Sequence, residues 1–269
     1  MKKVVFLVLI VLLTCSLFFT ESLAYDDALD KILKSGSVKI GLQLSVPPLK
    51  FRDKNNEPAG LCVDFAKAFT RDLGVEAEYV FVDLPAVIPS LLTGRIDIIF
   101  NDMSITLERA KKVLFTDPWM TSGSYMVVKK DSVLMTKDDV TAQQKNLRLS
   151  AGIGTNHAKT IAKVFPDAEL VLYDHHTEQR EAFKQGRDDV LVNEEVLQKE
   201  LVSSSNGELR MISTPLAKDS VAFFVGPSEY HLLTWTNLWL ARLKDSGEYD
   251  RLINYWVKTD DWKKDYPGF

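Results

Sequence analysis

Cysteine is scarce in this chain: Cys15 and Cys62 are the only two in 269 residues. Cys15 lies within an N-terminal leader, so processing would leave Cys62 alone, and one cysteine closes no internal disulfide. The fold must then be held by its core. Nothing beside Cys62 in the sequence would lower its pKa, so it reads as a small packing residue rather than a nucleophile. Histidine is also rare, with four: His157, His175, His176 and His231. They fall in predicted helices or loops with no nucleophile motif nearby, which excludes a hydrolase inventory. Adjacent His175 and His176 cannot share one helix face, so a metal site has little support, and no cofactor or metal is expected. No basic run or stripe is present, the formal net charge is −4 and the pI about 5.7, so nucleic acid is not an expected partner. After residue 24 no segment is both apolar and long enough to cross a bilayer. A sensor ectodomain would need a transmembrane or kinase segment, and none precedes the end at Phe269.

What the chain does contain is ordinary globular material. It is 46% hydrophobic and 26% charged, enough for a sizeable core in one or two domains. Residues 1–24 read as a signal peptide: a basic start at Met1-Lys2-Lys3, an apolar run from Val4 to Leu13, and small residues at Ser22 and Ala24. That run falls well short of the roughly 20 residues a membrane anchor needs. Cleavage after Ala24 is expected. A lipoprotein would instead start at Cys15, where Thr14 is a poor match to the small residue such processing prefers.

Taken in order, the chain reads β-α-β-α-β over its first hundred residues, the pattern of an open α/β sheet. A helix over Asp26–Ser35 ends at Gly36. Strand Val38–Leu42 runs into the stiff Ser45-Val46-Pro47-Pro48 loop, and Arg52–Pro58 forms a charged hairpin tip. Helix Val63–Leu73 stops at Gly74, strand Val75–Val82 follows, and Pro85 opens a helix closed by Gly94. Strand Ser124–Lys129 comes next, then a charged stretch to Asn146. The βα pattern restarts at Leu147, with a glycine loop Gly152-Ile153-Gly154-Thr155-Asn156 before helix Thr155–Phe165. Strands Glu169–Tyr173, Asp189–Asn193 and Val221–Gly226 are expected, together with helices Thr177–Gln185, Tyr230–Lys244 and Tyr249–Val257.

Residues 94–117 carry the densest chemistry. Ile96–Phe100 reads as a buried strand, Asn101–Ser104 as a polar turn, and Thr106 as the cap of a short helix. A helix start presents unpartnered N–H groups and a dipole that favours an anion. Arg109, one turn in, could grip a carboxylate with two prongs or could simply be a solvated surface arginine. The segment has an echo. Leu91-Leu92-Thr93-Gly94-Arg95-Ile96-Asp97-Ile98-Ile99-Phe100-Asn101-Asp102 aligns with Phe183-Lys184-Gln185-Gly186-Arg187-Asp188-Asp189-Val190-Leu191-Val192-Asn193-Glu194. If real, it describes two α/β lobes of like build, with Asp102 and Glu194 at equivalent carboxyl strand ends, where open sheets bind ligands.

Three stretches resemble the amino-acid-binding family of bacterial periplasmic solute-binding proteins, the receptors of ABC importers. They are Gly60-Leu61-Cys62-Val63-Asp64-Phe65-Ala66-Lys67-Ala68, Ile88 to Asp97, and Met103-Ser104-Ile105-Thr106-Leu107-Glu108-Arg109 through Phe115-Thr116-Asp117-Pro118. The likeness spans about residues 28–257. It implies a two-lobed α/β periplasmic-binding-protein fold of type II, each lobe an open mixed sheet flanked by helices. Lobe 1 would comprise 25–125 and 221–269, and lobe 2 would comprise 126–220. The two extended crossings would lie near Ser124–Lys129 and Ser220–Gly226. It implies a periplasmic, monomeric receptor that passes an amino acid to an ABC permease in the inner membrane.

By matching positions, Arg109 resembles the residue that grips the ligand's α-carboxylate, Ser104 its hydroxyl and backbone partner, Thr155 the second lobe's donor, and Glu194 the acid for the α-ammonium. A zwitterion leaving water needs partners of both signs. The chain departs from the family pattern at Val46, where many relatives carry an aromatic, at Gln43, where some carry an acid, and at Asp102, where Ser or Gly is common. Asp102 has three readings: a partner for a cationic side chain, a counter-charge for Arg109, or a cap of the turn. Leu84 and Trp119 are pocket walls or core. The same fold also resembles cyclohexadienyl dehydratases, through Leu29-Asp30-Lys31-Ile32-Leu33 and Gly154-Thr155-Asn156. That alternative requires a desolvated acid of raised pKa, for which Glu194 and Glu195 are the candidates.

Overall fold

The computed structural model describes residues 27–45 and 47–268. The leader with its Cys15, and Val46, lie outside the described residues.

Local signals start and stop the first elements as their chemistry requires. Helix α1 (Ala28–Ser35) is capped by Asp27, whose carboxylate accepts from Asp30 N, and ends at Gly36 with φ 72°. Strand β1 (Ser37–Leu42) leads to a short hairpin, β2 (Phe51–Arg52) with β3 (Pro58–Ala59). Helix α2 (Leu61–Leu73), strand β4 (Glu76–Phe81), helix α3 (Leu84–Leu92), strand β5 (Ile98–Ser104), helix α4 (Leu107–Ala110) and strand β6 (Leu114–Phe115) follow. Strand β7 (Met120–Lys129) then crosses to a second set: helix α5 (Lys137–Gln143), β8 (Arg148–Gly152), α6 (Asn156–Val164), β9 (Glu169–Tyr173), α7 (His176–Lys184), β10 (Val190–Glu194), α8 (Glu195–Ser203) and β11 (Leu209–Met211). Strand β12 (Ala217–Val225) returns, and helices α9 (Tyr230–Asp245), α10 (Glu248–Ile253) and α11 (Trp262–Asp265) close the chain.

The strands form one mixed sheet in the order β4-β1-β5-β12-β7-β10-β8-β9. Its two ends are parallel units, β4-β1-β5 and β10-β8-β9. The long strands β7 and β12 pair antiparallel at its centre, Met120–Ser124 against Ala217–Val221. Each then joins a different end: β12 continues along β5, and β7 along β10. The crossing pair therefore begins earlier in the chain than Ser124–Lys129. One large core packs against the first end, drawing α1, α2, β5, β12 and α9 to α11 around Phe65, Phe69, Phe100, Phe223 and Trp239. A separate core around Met126, Leu149, Ile161, Phe165 and Val192 serves the second end.

Two features depart from the sequence pattern. Asn101–Ser104 is not a turn: β5 runs through Ser104 because Met103 and Ser104 pair with Ala222 and Val221 of β12. A partner strand more than a hundred residues away overrides the local polarity. The charged stretch before Asn146 holds α5, whose capping box of Thr136 and Asp139 is satisfied in both directions.

One glycine positions the strap of residues 47–50 against α2. The first amides of α2 donate to strap carbonyls, Leu61 N to Pro48 O at 3.1 Å and Cys62 N to Leu49 O at 2.9 Å. At Gly60, φ is 118° and an added Cβ would lie 2.5 Å from Leu49 O. Only glycine allows the strap to lie this close. Cys62 beneath it is fully buried, and burial pushes its thiol well above the ordinary range, as suits a packing residue.

Candidate functional site

Residues from β5 and α4 on one side and from α6 and β10 on the other line one cavity between the two ends of the sheet, with about 400 Å³ of empty space, part of it open to solvent. Of the residues predicted from the sequence, Gln43, Leu84, Asp102, Ser104, Arg109, Thr155 and Glu194 line it. Trp119 does not. It is 1% exposed, stacked on Phe223 at 5.7 Å and edge-on to Phe65 at 5.3 Å, so it belongs to the core.

Arg109 is set by the cap of α4. Thr106 Oγ1 accepts from Arg109 N at 3.2 Å, and the guanidinium donates to Ser104 O at 2.7 Å and across the cleft to Gly154 O at 3.4 Å. Burial lowers its pKa from the ordinary value, yet it stays cationic in any physiological range. Facing it is the N-terminus of α6. Thr155 is that helix's N-cap: its hydroxyl donates to Gly152 O at 2.7 Å and accepts from Ala158 N at 3.2 Å. The hydroxyl is thus engaged within its own loop, and what this end of α6 presents to the cleft is its first backbone amides. Ser104 Oγ turns to Asp219 Oδ2 at 3.4 Å. Asp219, on β12, also accepts Asn156 Nδ2 at 3.0 Å on each oxygen, which ties both sides of the cleft to the crossing strand. An exposed Lys159–Glu108 ion pair closes the rim and is worth little energetically.

The opposite wall holds a buried charge cluster. Asp102 pairs with neither Arg109 nor a turn. Its Oδ1 accepts the ammonium of Lys50, which is 3% exposed, and the Glu194 carboxyl lies against the same carboxylate. Burial, the largest single influence, would raise the Asp102 carboxyl; the Lys50 charge and the hydrogen bonds from Glu194 and Lys50 together outweigh it and take the carboxyl down to about 2. Burial would likewise lower Lys50, but Asp102 first and then Glu194 raise it. Glu194, 7% exposed, is pushed well above the ordinary carboxyl range, by burial first and then by the Asp102 charge facing it. Its carboxyl therefore holds its proton to higher pH than an ordinary glutamate does. His157 and His176 also line the cleft, His157 Nδ1 against Ser124 Oγ and His176 Nδ1 against Asn193 Nδ2, each at 2.8 Å. Desolvation takes both down to about 4, so both are neutral.

The sequence reading missed Lys50, Asn156, His157, His176, Asn193 and Asp219. A signal for Lys50 was present. Leu49 and Phe51 are both buried in the core, and strand-like alternation points the residue between them the other way. His157 lies two residues past the Thr155 cap, within the same helix turn. Asp219 gave no signal, because its role comes from β12 lying between the two walls.

The model of the bacterial extracellular solute-binding proteins, family 3, matches residues 38–259. The L-cystine-binding protein TcyJ of Escherichia coli K12 is 26% identical over 242 residues, covering 89% of this chain and 90% of that protein. The ABC transporter arginine-binding protein 1 of the same strain is 28% identical over 225 residues, covering 81% and 90%. Among solved structures, the ancestral amino acid-binding protein AncCDT-1, a precursor of cyclohexadienyl dehydratase, superposes with a TM-score of 0.80 at 30% identity, covering 85% of this chain and 99% of that one. A mutant of ArgBP from T. maritima superposes at 0.79 with 34% identity, covering 86% and 100%. The fold is the two-lobed α/β type II periplasmic-binding fold, with β7 and β12 as its two crossings. The chain belongs to the bacterial extracellular solute-binding proteins, family 3.

Proposed function

We propose that this protein binds an amino acid, or a similar small carboxylated zwitterion, between its lobes and delivers it to an ABC importer. The observation that carries this reading is the pairing of opposite chemistries across one cleft. Arg109 and the first amides of α6 converge where a carboxylate would sit, and Glu194 faces it where an ammonium would sit. Arg109 belongs to one lobe, and α6 and Glu194 to the other, so the ligand is fully satisfied only when the lobes close on it, and its differential affinity drives that closure. Lobe 1 comprises residues 25–125 and 221–269, and lobe 2 comprises 126–220. The mature chain begins after Ala24 and works as a monomer in the periplasm.

Native mass spectrometry of the mature protein purified from a bacterial periplasm tests this reading, followed by a thermal-shift panel of amino acids. A bound amino acid and a stabilising ligand are expected; at 100 times its dissociation constant a ligand adds about 2.7 kcal/mol. Failure of every amino acid to bind would overturn the reading. The raised Glu194 is the kind of acid a dehydratase needs, but the structural neighbour related to that enzyme is itself an ancestral amino acid-binding protein. Turnover of prephenate or arogenate by the mature protein would reverse the ranking.

A further inference from the structure

The cavity lining contains two acids, Asp102 and Glu194, and two cations, Arg109 and Lys50. Lys50 differs from Arg109 in how it is held. Its backbone lies in the strap pinned on α2, with Pro48 O and Leu49 O taking the helix's first amides and Ser45 N donating to Lys50 O at 2.8 Å. Phe51 beside it is locked in an aromatic group, 6.1 Å from each of the Trp256 and Trp262 rings. The strap is therefore rigid, and the Lys50 side chain is aimed into the cleft at Asp102 rather than sweeping through solvent.

We infer that Lys50 sets side-chain selectivity: by placing an internal ammonium on Asp102 it occupies the negative subsite that a cationic ligand side chain would need, and so reserves the cleft for amino acids with uncharged side chains. The inference rests on the amino-acid reading above and adds a counting argument to it. Asp102 and Glu194 can balance two ammonium groups. Lys50 is one, and the ligand's α-ammonium is the other. Arg109 takes the ligand's carboxylate. Asp219 stands behind Arg109 with both oxygens on Asn156, outside the lining. A ligand guanidinium or side-chain ammonium would be a third cation facing two acids in a buried space, which desolvation disfavours. Two further groups near the subsite, His157 and His176, are neutral and add no counter-charge.

The experiment compares ligands of the same shape and different charge by titration calorimetry: arginine against citrulline, and lysine against norleucine. The wild-type protein is expected to bind the uncharged member of each pair at least tenfold more tightly. Lys50→Met keeps the length and removes the charge, leaving Asp102 unpaired; it should shift each ratio at least tenfold towards the cationic member. Asp102→Asn leaves Lys50 without its acid and should shift preference towards glutamate over glutamine. Lys50→Met/Asp102→Asn should lose the gain in cation binding. Equal or tighter wild-type binding of arginine over citrulline overturns the inference, as do unchanged ratios in the single variants; the wild-type comparison decides even where a variant does not fold. Failure of every amino acid to bind overturns the amino-acid reading itself, a different outcome from binding without charge discrimination.

Discussion

Ligand capture by this cleft should release a proton, and Glu194 should be its source. Burial and the Asp102 charge raise the Glu194 carboxyl well above 4.5, so it keeps its proton to higher pH than an ordinary carboxyl. An arriving α-ammonium reverses that balance, since an opposite charge at contact favours the carboxylate. The other groups that line the cavity hold still at about pH 6. Asp102, held at about 2, is already ionised, His157 and His176, at about 4, are already neutral, and Lys50 and Arg109 remain cations. Binding is therefore expected to release protons, up to one per ligand. By linkage, affinity should rise about tenfold per pH unit wherever free Glu194 is protonated and bound Glu194 is not. Titration calorimetry at a single pH in buffers of different ionisation enthalpy reads this directly, because the observed enthalpy varies with the buffer's in proportion to the protons released. Glu194→Gln should remove the buffer dependence and weaken amino acids far more than their deaminated analogues. An amino acid that binds the wild type with no buffer dependence near pH 6 refutes the assignment of Glu194 to the ammonium.

Particular contacts carry four further predictions. Arg109→Ala should abolish amino-acid binding in calorimetry while the circular dichroism spectrum stays native, because it removes the carboxylate's cation from a partly exposed position outside both cores; unchanged affinity sinks the carboxylate assignment. His157 is buried and has its folded pKa lowered from 6.5 to about 4, so the unfolded chain binds a proton there that the native one does not. Its stabilising contribution is present above 6.5 and is lost as pH falls towards 4. Urea titrations of His157→Gln across that interval should show a pH slope shallower by about 1.4 kcal/mol per unit than wild type; an identical slope rules the group out. Glu194, with its raised pKa, opposes the trend by gaining stability on acidification down to 4.5, so Glu194→Gln should steepen it. Gly60→Ala should cost about 2 kcal/mol or more in chemical unfolding, from its positive φ and the clash with Leu49 O, and a cost near zero would show that the strap is free to move.

Much of this architecture was legible because it is local. Alternating and helical apolar periods, the Asp27 and Thr106 caps, and the glycine stops at Gly36 and Gly74 involve residues within a few positions of each other, so the sequence carries them directly. The Gly-Arg echo placed Asp102 and Glu194 at matching points of two like units, and both do line one cleft. Arg109 was legible for the same reason: its orientation depends on a cap three residues away. The sequence by itself determined two α/β units, their order, and the positions of Arg109, Asp102 and Glu194, all of which line the one cavity.

Only the tertiary structure decided the electrostatics of that cavity, because they depend on partners brought together from afar. Lys50 reaches Asp102 across 52 residues, and Ser104 and Asn156 meet at Asp219, 115 and 63 residues away. Pairing with β12 turned the expected Asn101–Ser104 turn into strand, and packing against Phe65 and Phe223 took Trp119 out of the pocket. Asp102 shows the division most plainly. Its identity and strand position were in the sequence, but whether its charge was free for a ligand depended on a lysine that only folding brings against it.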